Sequence, residues 1–315
     1  MLQPDHAPVE HAAPAAEAAA EAFNAGDVII GHVANSPIDH PLIHLPRVFG
    51  IDMSVTKHVL MLWIVAGLLF VVVTAAVRRY LRQEAPVPSG FMNALEAVVE
   101  FVRDAIVQPN VGQHWARAWT PLVLTFFLFI LTANMIGLIP IFDLAALLNH
   151  TIIHAPEDSF FARMLHGGVT ATGNFNVTAA LATVTFFSVI VAGTRAHGFL
   201  RYWKNMVPVG LPWPIYFLLV PIEILGMFVR PFALTMRLAA NMSGGHIAIL
   251  AILSFVFIFT EMLGSAIAGI GVGAVLSLPL AVGISALEII VVLVQAYVFT
   301  LLTAVFIGMA IHAHH

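Results

Sequence analysis

The sequence predicts an all-α integral membrane protein, with about five transmembrane helices and one helix lying in the membrane interface. Hydrophobic residues make up 60% of the 315 residues and charged residues only 10%. A soluble domain is about half apolar and a quarter charged. Long apolar segments recur, each long enough to cross about 30 Å of hydrocarbon as a helix. The absence of cysteine excludes a disulfide framework and thiolate metal sites.

Residues 1–56 are polar and rich in Ala, Glu, His and Pro, so we expect a tail without a membrane span. They lack a basic segment followed by an apolar core, so no cleaved signal peptide is expected. Residues 57–315 form the predicted membrane domain. Its expected transmembrane helices are 57–82, 116–142, 174–196, 211–263 and 278–311. Basic residues follow the first and third spans, which places the N-terminus outside and the C-terminus in the cytoplasm.

An amphipathic helix is predicted over residues 89–108. Apolar residues recur there at helical spacing, namely Phe91, Leu95, Val98, Val102 and Ile106. Charged residues occupy the other side, namely Glu96, Glu100, Arg103 and Asp104. This pattern is typical of a helix that lies in the interface rather than spanning the membrane.

The last two predicted helices are long. A helix over residues 213–261 would measure about 70 Å at 1.5 Å per residue, so it must be tilted, kinked or broken within a bilayer. Pro221 and Pro231 are candidate kinks. We expect the turn to a second long helix to occupy a Gly-rich run, made of Gly264, Gly269, Gly271 and Gly273, followed by Pro279.

Polar residues of helix 211–263 fall on one face at membrane depth. Glu223, Arg230, Arg237 and Asn241 lie within a narrow stripe at 100° per residue. Charged groups at that depth are costly and are functional-site hypotheses by default. Arg237 has no carboxylate three or four residues away. Its partner is therefore expected on another chain, the alternative being a structural pair with Glu223 or Glu288.

Small residues surround Arg237 and would let another helix approach closely; they are Ala233, Ala240, Ser243 and Gly244. His246 and Glu288 lie on facing arms of the predicted hairpin and could form a proton relay, although a lone His is more often a satisfied core residue. Gln295 shares a face with Glu288. The terminal His312, His314 and His315 are expected to be solvated, so no metal site and no cofactor is predicted.

Two segments resemble ATP synthase subunit a: RLAANMSGGH at 237–246 and LEIIVVLVQAYVFT at 287–300. The resemblance implies a proton-translocating stator subunit of a rotary ATP synthase, non-catalytic by itself, in a bacterial inner membrane. The implied partners are a ring of c subunits, b-type stalk subunits, the other synthase subunits and lipid. Two alternatives stay open, a sodium-driven version of the subunit and a secondary transporter or channel.

The resemblance also implies roles for single residues. Arg237 resembles the stator arginine that meets each ring carboxylate, and Gln295 would assist it. Asn241 and Glu223 would line the two offset half-channels. His246 and Glu288 would form the relay between the outside water and the ring.

Overall fold

The computed structural model describes residues 54–81, 90–138, 170–204 and 212–312, together with five isolated positions: Gly26, Ile43, Leu45, Pro46 and Asn149. Most of the predicted tail 1–56 and most of the loop 143–172 lie outside these residues. The described part of the chain is helical, apart from one antiparallel bridge between Ile43 and Val55.

The helices in chain order are α1 Lys57–Leu81, α2 Phe91–Glu100, α3 Gln108–Val111, α4 Gln113–Leu138, α5 Phe175–His197, α6 Phe199–Lys204, α7 Trp213–Leu263 and α8 Ala266–Ile311. A π-helical segment, Phe101–Val107, joins α2 to α3, and a 3-10 turn, Ala171–Gly173, precedes α5. Five of the described helices (α1, α4, α5, α7 and α8) are long and apolar enough to cross a membrane. The predicted fold class is confirmed.

The predicted interfacial helix corresponds to α2, the π-helical segment and α3. Leu95, Val102 and Ile106 are buried, whereas Glu100 and Asp104 are exposed. The hydrogen bonds from Arg103 hold the pKa of the Asp104 carboxyl below its usual value. The two-sided pattern is therefore present in the structure.

Phe91 is an exception to that pattern. It was expected on the apolar side but is 60% exposed. It is the first residue of α2, so it lies one turn ahead of Leu95, where the helix first becomes buried.

Helices α7 and α8 form a long antiparallel hairpin. Helix α7 has 51 residues, which corresponds to about 75 Å. It continues through Pro221 and Pro231, so neither proline ends the helix. Gly264 closes α7 in the left-handed conformation, with φ 58°, which a glycine adopts without a Cβ penalty.

The turn between the two long helices is shorter than we expected. Helix α8 begins at Ala266, not near residue 278, and it contains Gly269, Gly273 and Pro279. A Cβ on Gly273 would lie 2.6 Å from the Val256 Cα, and one on Gly269 would collide with the Thr260 backbone. These glycines serve close helix packing, a use of small residues that is common in membranes.

The core lies where the hairpin packs on α4 and α5. It is made of fully apolar side chains, including Val123, Phe126 and Ile130 of α4, Leu234, Leu238 and Met242 of α7, and Val292, Ala296 and Phe299 of α8. Helix α1 packs at the edge, through Met61 and Val65 against Ala133 and Ala171. One side of α7 is thus fixed against the bundle, and its other side stays open.

The close contact of α7 and α8 leads to a stability prediction. Gly273→Ala should destabilise the hairpin by about 1–3 kcal/mol, because its methyl group would meet backbone. Gly271→Ala is the matched control, since nothing lies within 4 Å of its Cβ position and alanine is the better helix former. Thermal unfolding of the assembled complex measures both variants. Equal midpoints would contradict this packing.

Candidate functional site

Arg237 lies on the open side of α7. Leu234, Leu238 and Met242 are buried on the opposite side of the same turns. Arg237 is exposed, as are the small residues on its side, Ala233, Ala240 and Gly244. Across the described ranges, no carboxylate lies within ion-pair distance of its guanidinium. Arg237 is thus a cation on a membrane-depth helix that presents itself outward between small residues.

Glu223 has a different partner from the one considered in the sequence. The Arg230 Nη2 atom lies 3.5 Å from the Glu223 Oε1 atom, with both side chains about one third exposed. The Arg230 guanidinium also lies over the Phe306 ring of α8, 5.8 Å from its centroid. Glu223 therefore pairs with an arginine that lies two turns before Arg237.

Asn241 and Gln295 join the two long helices. The Asn241 Nδ2 donates to the Gln295 Oε1 at 2.9 Å. Gln295 is 3% exposed, whereas Asn241 lies on the open side one turn beyond Arg237. The hydrogen bond places the Gln295 amide beside the turn that carries the arginine.

Glu288 is buried against α7 at the position of Gly245. A Cβ on Gly245 would lie 2.7 Å from the Glu288 Oε1, so a larger residue there would displace the carboxyl group. His246 is near enough to interact with Glu288 electrostatically. No direct hydrogen bond joins the two, and the buried Glu288 Oε1 has no hydrogen-bond partner among the residues that the structure describes. His246 and Glu288, the predicted relay pair, therefore lie near each other without a hydrogen bond between them.

Ser243 does not share the open side with the other small residues. It is partly buried, and its hydroxyl donates to the Gly173 carbonyl at 3.1 Å. Its contact is therefore with the 3-10 turn inside the bundle. This differs from the expectation that it packs against a rotor, because the helical rotation from Gly244 to Ser243 turns the side chain inward.

A polar cluster that the sequence reading missed lies near that turn. The Thr172 hydroxyl donates to the buried Asn134 amide oxygen of α4. The Asn134 Nδ2 and the Thr170 hydroxyl are buried without a hydrogen-bond partner in the described part of the chain. Asn134 was detectable as a polar residue inside an apolar span, whereas the two threonines precede a helix and carry no such signal.

Other ionisable residues at the ends of the two long helices lie apart from this region. Glu261 is exposed at the end of α7. His312 hydrogen-bonds the Val111 carbonyl at 3.2 Å, which ties the end of α8 to α3. His314 and His315 lie outside the described residues. In the described residues, α7 and α8 thus carry polar groups before and after an arginine that has no counter-charge there.

Comparison with known proteins places this arrangement in a family. The model of the family described as ATP synthase A chain matches residues 59–308. A relative from Chlorobium luteolum, "ATP synthase subunit a 2", is 41% identical over 95% of this chain and 79% of its own length. The protein of the same name from Prosthecochloris aestuarii is 38% identical over 96% and 86%.

A third relative, from Chlorobaculum tepidum, also carries the name "ATP synthase subunit a 2". It is 39% identical over 95% of this chain and 77% of its own length. The family match covers α4, α5 and α7 in full and nearly all of α1 and α8. The chain therefore belongs to the ATP synthase A chain family.

Proposed function

We propose that this chain is the proton-conducting stator subunit of its ATP synthase, and that Arg237 is the group that removes protons from a ring of carboxylate-bearing c subunits. The observation that carries the proposal is the open position of Arg237 on α7. Its guanidinium has no counter-charge in the described residues, because Glu223 pairs with Arg230 and Glu288 lies at Gly245. Exposed Ala233, Ala240 and Gly244 leave room for a partner helix.

The chemistry follows from the cost of a bare charge in lipid. A ring carboxylate that has taken up a proton can face hydrocarbon, whereas an ionised one cannot do so cheaply. A nearby cation favours the ionised form of a carboxyl group. Arg237 would therefore promote release of the proton from each arriving carboxyl group, and its charge would block proton passage between the two half-channels.

The two half-channels are offset along α7. Glu223 precedes Arg237 by 14 residues and His246 follows it by nine, which are about 21 Å and 13 Å along the axis. His246 and Glu288 would pass protons from the outside water to the ring. Glu223 would pass released protons to the inside. Asn241 and Gln295 would line the approach to Arg237.

The orientation rests on the basic helix ends. Arg78 and Arg79 lie in the last turn of α1, and Arg195 lies in the last turn of α5. By the positive-inside rule, these helix ends lie on the cytoplasmic side of the membrane, which we propose is a bacterial inner membrane, and the N-terminus lies outside. Five spans then place the C-terminus on the cytoplasmic side. The proposed neighbours of the chain are the c ring, b-type stalk subunits, the other synthase subunits and lipid.

Replacing Arg237 tests the central claim. Arg237→Ala should slow ATP-driven proton pumping in membrane vesicles by about 100-fold, since a carboxylate at membrane depth costs about 3 kcal/mol without its counter-charge. Passive proton conduction, measured after the soluble catalytic sector is removed, should persist or rise. Arg201→Ala, at an exposed position of α6, is the control. Normal pumping by Arg237→Ala would refute the proposal and leave the arginine a structural role.

The relay can be tested at Gly245. Gly245→Ala adds a methyl group 2.7 Å from the Glu288 Oε1. This flexible carboxyl group can move away, so the complex should keep its stability while pumping falls several-fold. Gly226→Ala, where nothing lies within 4 Å, should pump normally. A variant that pumps at the normal rate with the carboxyl group displaced would exclude Glu288 from the proton route.

The transported ion is tested by omitting sodium. His246 and Glu288 are both side chains that can bind and release a proton, which favours protons as the transported ion. ATP-driven acidification of vesicles should therefore proceed at the same rate without sodium and collapse with a protonophore. Dependence on sodium would favour the sodium-driven version. Transport that persists without the other synthase subunits would favour a secondary transporter or channel.

A further inference from the structure

Two arginines lie in the same helical stripe of α7, but their surroundings differ. Arg237 has no ion pair within the described ranges, whereas Arg230, two turns earlier, pairs with Glu223. The spacing of seven residues puts the two guanidinium groups about 10 Å apart along the axis. Glu223 lies seven residues before Arg230 but 14 before Arg237, so it is within reach of Arg230 alone, at 3.5 Å.

Arg230 is held by more than the carboxylate. Its guanidinium lies over the Phe306 ring, at 5.8 Å from the centroid. This arrangement is attractive because the ring face is electron-rich. Arg230 and Phe306 also line a small crevice between α5, α7 and α8, together with Met227 and Pro231. The Arg230 guanidinium is therefore held between α7, α8 and α5.

Tyr202 of α6 completes these surroundings. It is buried, its ring packs on Gly193 of α5 where a Cβ would collide with it, and it interacts electrostatically with Arg230 and Glu223. Burial raises the pKa of Tyr202 above its usual value. Tyr202 is therefore a neutral phenol at physiological pH, and it adds no charge to the pair.

The exposure of the pair limits its contribution to the fold. The Arg230 and Glu223 side chains are 34% and 37% exposed, and ion pairs this accessible stabilise a protein by about 0–1 kcal/mol. Stability alone is a weak reason for two charges at this depth. Partial exposure on the surface of this chain and a place in the same helical stripe as Arg237 suit a group that exchanges protons.

We propose that Arg230 is a positioning residue for proton release, acting through Glu223. It fixes the Glu223 carboxylate on the side of α7 that carries Arg237. The proton leaving a partner carboxyl group at Arg237 crosses water to the Glu223 carboxylate, which then gives it to inner water and pairs with Arg230 again. This inference rests on the proposed function above.

A double-mutant cycle in the whole complex tests this role. ATP-driven pumping is measured in vesicles for Arg230→Gln, Glu223→Gln and the double variant, at matched amounts of assembled complex. Arg230→Gln should slow pumping by about two- to fivefold, as expected for an ion pair of this exposure. Arg230→Lys should restore most of the rate, because it keeps the charge, and the double variant should be no slower than Glu223→Gln.

Other outcomes would overturn the inference. It fails if Arg230→Gln slows pumping by the same factor with and without Glu223, since the arginine would then act independently. It also fails if Arg230→Lys is as slow as Arg230→Gln in an intact complex. Arg201→Gln is the matched control and should pump normally. Normal pumping by Arg237→Ala would refute the proposed function itself, whereas loss there with additive effects at Arg230 would refute this inference alone.

Discussion

The cost of a guanidinium at membrane depth is the constraint on which the rest of this structure depends. Insertion of an arginine at the centre of a span costs about 2.5–3.5 kcal/mol. The fold offsets that cost at Arg230 with a carboxylate and an aromatic ring. It leaves Arg237 without either in the described chain. Under the proposed function, a neighbouring subunit of the ATP synthase would supply the missing counter-charge.

The hairpin keeps this arrangement in register. Contacts pair Arg230 with Phe306, Asn241 with Gln295 and Gly245 with Glu288, so positions advance on α7 as they retreat on α8. Each pairing depends on those beside it, because both helices are continuous through the whole region. A shift of one helix by a single residue would turn every one of these side chains by about 100°.

The sequence predicted the fold class because hydrophobic length and charge position are direct consequences of the bilayer. It misplaced the start of α8, because glycine serves both turns and close packing, and only coordinates show Val256 against Gly273. It identified the polar stripe of α7 from the helical period. It could not assign Glu223 to Arg230, since partners on one face are chosen by side-chain conformation. Nor could it foresee that Ser243 turns toward the Gly173 carbonyl.

Glu223 and Glu288, the two carboxyl groups proposed to carry protons, share one physical property: neither is held by strong contacts in the described residues. The Glu223 and Arg230 side chains are about one third exposed, and an ion pair this accessible is separated at a cost of about 1 kcal/mol or less, close to thermal energy. A fully buried pair would cost about 3–5 kcal/mol to break by removing a partner, and it would hold its carboxylate out of exchange. Glu288 is buried, yet its Oε1 has no hydrogen-bond partner in the described residues. Under the proposed function, these loosely held groups would exchange protons on either side of Arg237, which would be left free to meet a partner subunit.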